Sequence, residues 1–306
     1  MSIFSTTLNQ MLILFLFLFI GYMLKHLNIL PENSHIVLAK VENFVIIPSL
    51  NLYTFISKCT PENLAAKWIY IVYCLGITAV ATLIGLFLSR FFSKDINTRN
   101  VYKYSFVIAN FGFVGFVLVE GLFGTDTLFD FMLFTLPLQV FIYTIGCVWL
   151  IPSQKSFQLK SMINPMFISM LAGAVIGLTG LKLPSFLMEA ITASKNCMSP
   201  VAMILSGFVI GNYGLKSMLV KKHVYVMSLL RLIVIPAVFY YILYFLGANS
   251  NILMLTVCAF AMPLGLNPII ITSAYGGDTT EAASMALISH LMAIVTIPIM
   301  FAIFIK

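Results

Sequence analysis

The chain has 306 residues, of which 61% are hydrophobic and only 9% charged. Soluble domains are about 45–50% apolar and about 25% charged, so this composition cannot furnish a water-facing surface and reads as an integral membrane protein. With 17 Lys+Arg, 10 Asp+Glu and 4 His, there are too few polar groups for a soluble catalytic domain or a nucleic-acid groove.

The first apolar stretch, Leu8 to Leu24, has no basic residue before it and no small-residue cleavage site after it, so it is expected to be a retained span rather than a signal peptide. Cutting the chain wherever charge, Pro and Gly cluster predicts ten spans, at 8–26, 36–57, 67–90, 102–123, 127–151, 162–180, 187–211, 223–246, 252–275 and 282–305. Glu42, Pro48 and Asn51 lie in the second span, Lys195 and Pro200 in the seventh, Arg231 and Pro236 in the eighth, and His290 and Pro298 in the tenth. The five cysteines (Cys59, Cys74, Cys147, Cys197, Cys258) contain no C-x-x-C pair, so neither a disulfide frame nor a metal centre is expected, and they read as small apolar packing residues. No cofactor is expected.

Lys and Arg collect in cytoplasmic loops. Eleven fall in one alternate set of loops (Lys25, Lys40, Arg90, Lys94, Arg99, Lys103, Lys155, Lys160, Lys216, Lys221, Lys222), against four in the other (Lys58, Lys67, Lys182, Lys306). The first set is expected inside and both termini outside, in the cell membrane. The formal charge of +7 is then topology signal and contact with the cytoplasmic leaflet.

Punctuation recurs at half the chain length. Gly21 to Pro31 reads like Gly173 to Pro184, and the two prolines are 153 positions apart in a chain of 306. Pro48 and Pro200 follow them by 17 and 16 positions. Asn110 then Pro137 in the first half correspond to Asn267 then Pro298 in the second. Five spans per half is odd, so the second half must be inserted upside down: a 5+5 inverted repeat.

In lipid an unpaired backbone group costs several kcal/mol, so a broken helix is tolerated only where it is buried in protein or lines a cavity. The fourth span carries Asn110-Phe-Gly112-Phe-Val-Gly115. The ninth carries Met262-Pro263-Leu-Gly265-Leu-Asn267-Pro268, which removes two backbone donors. Each Asn can donate and accept, and half-helix N-termini carry partial positive charge suited to a carboxylate. A pair of packing kinks is the competing account. The symmetric placement of the two asparagines favours a substrate site, with Asn110, Gly112, Gly115, Pro263, Gly265, Asn267 and Asn51 as its candidate residues.

The same residues carry a family resemblance. N-F-G-F-V-G-F-V-L at 110–118, M-P-L-G-L-N at 262–267 and Y-G-G-D at 275–278 resemble signatures of the auxin efflux carrier family, as does the G-Y-M-L-K start. The family's proline in the fourth-span motif is Val117 here. The resemblance covers essentially the whole chain. It implies an all-α polytopic fold of ten transmembrane helices like the bile acid sodium symporters and NhaA, in a 5+5 inverted repeat, with helices 4 and 9 broken and crossing. It also implies transport of small organic anions such as malate, malonate or auxin-like acids. A scaffold of helices 1, 2, 6 and 7 (1–65 and 152–222) would hold a moving core of helices 3–5 and 8–10 (66–151 and 223–306).

Ionisable groups at membrane depth are functional candidates by default. His290, Lys195, Arg231 and Glu42 are therefore candidates for charge compensation or proton coupling, with snorkelling or packing as the alternative for each. No carboxylate pair stands at mid-membrane, which weakens a sodium/proton exchanger. A passive channel of the same fold stays open as the second reading. No span pairs a nucleophile with a base, so no enzyme is expected. The identity of the acid, proton or sodium as coupling ion, the direction of transport and a homodimeric state are left open.

Overall fold

The computed structural model describes residues 2–151 and 163–305. The loop cations Lys155 and Lys160 and the terminal Lys306 lie outside the described residues. Long apolar runs must pair their backbone groups internally, and among the described residues all regular structure is helical. The main helices are α1 (Ile3–His26), α2 (Ser34–Lys58), α3 (Pro61–Phe92), α4 (Ile96–Val107), α5 (111–123), α6 (125–150), α7 (Pro165–Thr179), α8 (Ser185–Ile210), α9 (Lys222–Phe245), α10 (Ser250–Phe260), α11 (Asn267–Ala274) and α12 (Thr280–Phe304), with a short helix, Leu215–Leu219, between α8 and α9. Polar caps start several of them: the side chains of Asp95, Asn110 and Asn249 accept from the N–H groups of Thr98, Phe113 and Ile252.

Among the described residues, seven helical stretches are long and apolar enough to cross a membrane: α1, α2, α3, the run Ile96–Leu150, α8, α9 and α12. The apolar helices α7 and α10 are shorter. The run Ile96–Leu150 has 55 residues, which straight would reach about 80 Å, far beyond a hydrocarbon core of about 30 Å. It is broken twice. At 108–110 the backbone leaves the helix between α4 and α5, with Ile108 extended and Asn110 at φ −81°, ψ 50°. At Gly124 it passes through φ 81°, ψ 177°, a conformation that only glycine adopts without strain. A matching interruption, 261–266, separates α10 from α11.

Of the four π-turns among the described residues, Phe111–Gly115 has no nearby proline and the other three each have one. One spans Glu42–Ile46 ahead of Pro48, one Leu230–Val234 ahead of Pro236, and one Ile142–Gly146 after Pro137. A proline ring pushes away the carbonyl four residues before it and offers no N–H, so a five-residue register ahead of it relieves both problems.

The helices pack in a recurring pattern. α1 lies along α8 so closely that a Cβ on Gly21 would overlap the Ile204 backbone, and one on Gly207 would overlap the Leu18 carbonyl. α7 lies along α2, where a Cβ on Gly173 would press on Phe55. Small residues let backbones approach in lipid, where water no longer drives helices together. α3 packs on α4 and on 116–141, α9 on α10, and α12 on α1 and α9. Large apolar side chains point outward, among them Leu83, Phe87 and Phe91 on α3 and Phe245 on α9, as a lipid-facing surface requires.

The Y-G-G-D motif proves to be a turn. Gly276 has φ 72°, and Asp278 accepts from the Thr280 N–H at 2.9 Å and hydroxyl at 2.7 Å, opening α12. Those two donors, the N–H foremost, hold the Asp278 carboxyl below the usual carboxylate range.

Candidate functional site

The two interruptions meet. The Asn110 N–H donates to the Pro263 carbonyl at 2.8 Å, so a main-chain hydrogen bond joins the break between α4 and α5 to the break between α10 and α11. The Leu264 N–H donates to Ser289 Oγ of α12 at 2.9 Å. Two buried backbone N–H groups at the breaks are thereby satisfied.

Beside this crossing lies a cavity of about 70 Å³, room for a few water-sized groups. Asn110, Gly112 and Phe113 line it from the start of α5, and Gly265, Leu266 and Asn267 from the start of α11. The remaining wall comes from Asn43 and Ile47 of α2, Gln139, Ile142 and Tyr143 of α6, Met166 of α7 and Met198 of α8. Among the described residues no acidic or basic side chain lines it. Two helix N-termini therefore supply partial positive charge to an otherwise neutral polar pocket.

The asparagines have different duties. Asn110 Oδ1 accepts from the Phe113 N–H at 3.2 Å, capping α5, while its Nδ2 is buried without a hydrogen-bond partner. Asn267 Nδ2 donates to the Tyr104 hydroxyl at 3.0 Å. Of the other candidates from the sequence, Gly112 and Gly265 line the cavity. Pro263 contributes its carbonyl to the crossing, and Gly115 packs against the Phe131 ring. Asn51 is placed elsewhere: its amide donates to the Met166 carbonyl at 3.0 Å and to Ser169 Oγ at 3.2 Å, joining α2 to α7 outside the cavity lining.

The ionisable candidates also stand away from the cavity lining. Arg231 is fully buried, its Nε donating to the Ser105 carbonyl at 3.2 Å and Nη1 to the Phe260 carbonyl at 2.5 Å. These carbonyls belong to the last turns of α4 and α10, so the cation sits on the two negative half-helix ends at the breaks. Lys195 pairs with Glu120 at 2.6 Å and lies 4.3 Å from the centre of the Tyr53 ring. His290 Nδ1 is 2.7 Å from the Ala286 carbonyl, and its Nε2 is buried without a partner. Glu42 is fully buried with neither carboxyl oxygen bonded.

Sequence reasoning missed Asn43, Gln139, Tyr143 and Tyr104. Gln139 is buried at the cavity, two residues past Pro137. A lone amide in an apolar run beside a proline was the available signal.

A second space of about 610 Å³ adjoins the first, with Asn43 lining both. His35, Lys40, Asn212, Tyr213 and Ser273 are among its walls, which are formed by α2, α8 and α11. The opposite end of the same helices is closed by ion pairs. Lys195 of α8 holds Glu120 of α5, and Lys58 of α2 holds Asp126 of α6 at 2.8 Å. Lys40 and Lys58 are 18 positions apart, about 27 Å along α2, so this second space, termed the vestibule, and the Lys58–Asp126 pair lie toward opposite ends of α2.

No curated protein matches the chain. The sequence profile of the family described as membrane transport protein does, at residues 6–159 and 149–301. Those matches together run across almost all of the sequence, and they fall on a multi-helix body whose interrupted helices meet at a polar cavity: the chain belongs to the auxin efflux carrier-type membrane transport family.

Proposed function

We propose that this chain is a secondary active transporter of small organic anions, carboxylates such as malate, malonate or auxin-like acids, working by alternating access. The observation that carries the reading is the cavity where the two breaks meet. An unpaired Asn110 amide, Gln139, Tyr143, Asn267 and two helix N-termini surround it without an acidic side chain. Donors and partial positive charge without a fixed cation suit a carboxylate that must be released again. A space of about 70 Å³ is below the usual range of about 300–1,000 Å³ for ligand sites. An acid of metabolite size would also draw on the vestibule, whose Lys40 attracts anions.

The ten spans in a 5+5 inverted repeat belong to the same proposal. In support, α1 packs on α8 through Gly21 and Gly207, and α7 packs on α2 through Gly173. A repeat that exchanges span 1 with 6 and 2 with 7 converts one contact into the other. Spans 1, 2, 6 and 7 form the scaffold on this reading. Both termini are outside, and the vestibule opens to the cytoplasm in the cell membrane. Charge pairs joining α8 to α5 and α2 to α6 close the outer face.

Thermal-shift measurement against a panel of mono- and dicarboxylates, with and without sodium, tests the substrate class. Saturable counterflow in proteoliposomes is expected, and unitary currents would replace the carrier with a channel.

A further inference from the structure

The corner where α3 gives way to α4 gathers cations that the chain leaves unpaired. A Cβ on Gly85 of α3 would lie 3.0 Å from the Lys103 carbonyl oxygen of α4, so the two helices meet closely there. They are joined through 93–95 and run antiparallel. Arg90, five residues past Gly85, and Arg99, four before Lys103, therefore come to the same end of the pair. Arg99 and Lys103 share one face of α4, and the charges of Arg99 and Arg90 both act on the Lys103 ammonium.

Among the described residues none of Arg90, Lys94, Arg99 and Lys103 makes an ion pair. Lys103 Nζ donates to Asn100 Oδ1 at 2.8 Å and lies 6.0 Å from the centre of the Trp149 ring, both neutral partners. Arg99 Nε is buried without a hydrogen-bond partner. The one carboxylate on the connection, Asp95, is used as a cap, accepting from the Thr98 N–H at 2.7 Å. Glu281, which reaches the neighbouring Tyr102 hydroxyl, is held by Lys221 and His223. The segment 152–162, outside the described residues, adds Lys155 and Lys160 and contains no Asp or Glu. Like charges held this close repel, and an external anion would relieve them.

The surface beside the cations says which anion. Leu83, Phe87 and Phe91 are exposed at intervals of four residues, forming an apolar ridge on α3, with the Phe87 and Phe91 rings 5.3 Å apart and edge to face. At about 100° per residue, Arg90 lies about 60° from Phe87 around the helix axis, so it stands at the head of that ridge. An acyl chain fits the ridge, and a phosphate fits the guanidinium forks above it. A free phosphate would use the forks alone.

We propose that the α3–α4 corner binds the phosphate headgroup of an anionic phospholipid in the cytoplasmic leaflet, with Arg90, Arg99 and Lys103 as its donors. The site stands apart from the substrate reading, since none of these side chains lines the cavity or the vestibule.

The test follows the full chain in detergent by native mass spectrometry during titration with phosphatidylglycerol, with phosphatidylcholine of the same acyl chains, or with inorganic phosphate. One phosphatidylglycerol per chain should be retained where phosphatidylcholine is lost, and inorganic phosphate at matched ionic strength should not displace it. A cation at an anionic lipid is worth about fivefold in affinity. Arg99→Gln and Lys103→Gln should each weaken retention about fivefold, and together about twenty-five-fold, if the two charges act independently. A Lys216→Gln/Lys222→Gln variant, which loses two charges from another basic loop, should retain the lipid as wild type does. Should Arg99→Gln fail to fold, Arg90→Gln and Lys103→Gln read the same site. Equal retention of the two lipids, or equal weakening in the Lys216/Lys222 variant, overturns the site. Displacement by inorganic phosphate at the concentration of the lipid overturns the lipid assignment and gives the corner to free phosphate.

Discussion

Asn110 performs two tasks with one side chain, and they separate by substitution. Its oxygen caps α5 and its nitrogen is free at the cavity. Asn110→Asp keeps a capping acceptor while replacing the donor by negative charge, so melting temperature without substrate should hold and anion affinity should collapse. Asn267→Ala removes the amide that the proposed site offers to the substrate carboxylate, a hydrogen bond to a charged group worth about 1.5–3 kcal/mol, so affinity should fall roughly ten- to a hundredfold. Paired melting and binding measurements on the same purified variants check both. A destabilised Asn110→Asp protein with normal affinity would return that residue to packing. Arg231 makes the opposite prediction. Arg231→Met leaves two buried carbonyls unmet, at about 1–3 kcal/mol each, so stability should fall, with partial recovery in Arg231→Lys. His290 offers its Nδ1 to the Ala286 carbonyl of its own helix. His290→Gln is expected to leave the pH profile of transport unchanged, and a shifted profile would make the ring a proton relay.

The two asparagine motifs were legible because an amide among glycines or prolines in an apolar run is a local signal. Gln139, Tyr143 and Asn43 were not, because nothing local says which face of α2 or α6 is turned toward the crossing. The placement of Asn51 was hidden for the same reason: its nearness to Pro48 in sequence says nothing about α7, whose Met166 and Ser169 occupy its amide. The charges Lys195 and Arg231 stood out by depth, but their partners lie 75 and 126 residues away in sequence at Glu120 and Ser105.

Among the elements, interruptions and π-turns concentrate where prolines and glycines were read as breaks, and the rest of each helix is regular. The ion pairs at the face opposite the vestibule join separate helices. If α5 and α6 must part from α2 and α8 for access to alternate, these pairs are made and broken in each cycle. Glu120→Lys alone should set like charges against Lys195 and reduce transport. Adding Lys195→Glu restores the opposite-sign pair and should recover much of it, as read by initial uptake rates. Failure of the double variant to improve on either single variant would confine this contact to local packing.

On the proposed orientation, the basic loops among the described residues and the vestibule share the cytoplasmic face. Cysteine probes at Ser250 and Thr125 should be labelled from outside, and probes at Ser93 and Ser217 should not. Labelling of Ser93 from outside would reverse the orientation and with it the proposed closed face. Composition alone made the membrane assignment legible, since an apolar share of 61% leaves no aqueous surface. Helix breaks could be placed to within a few residues, yet the meeting of the two breaks is a long-range event that sequence spacing does not encode.

That meeting is made by main chain: the Asn110 N–H and the Pro263 carbonyl. Alanine scanning leaves every peptide group in place, so a complete scan of this protein could chart the cavity and still pass over the joint between its halves. An amide-to-ester exchange, with an α-hydroxy acid installed at position 110, deletes that one donor and leaves the side chain as it is. It is the alteration that would reveal whether the joint is a rigid weld or a pivot.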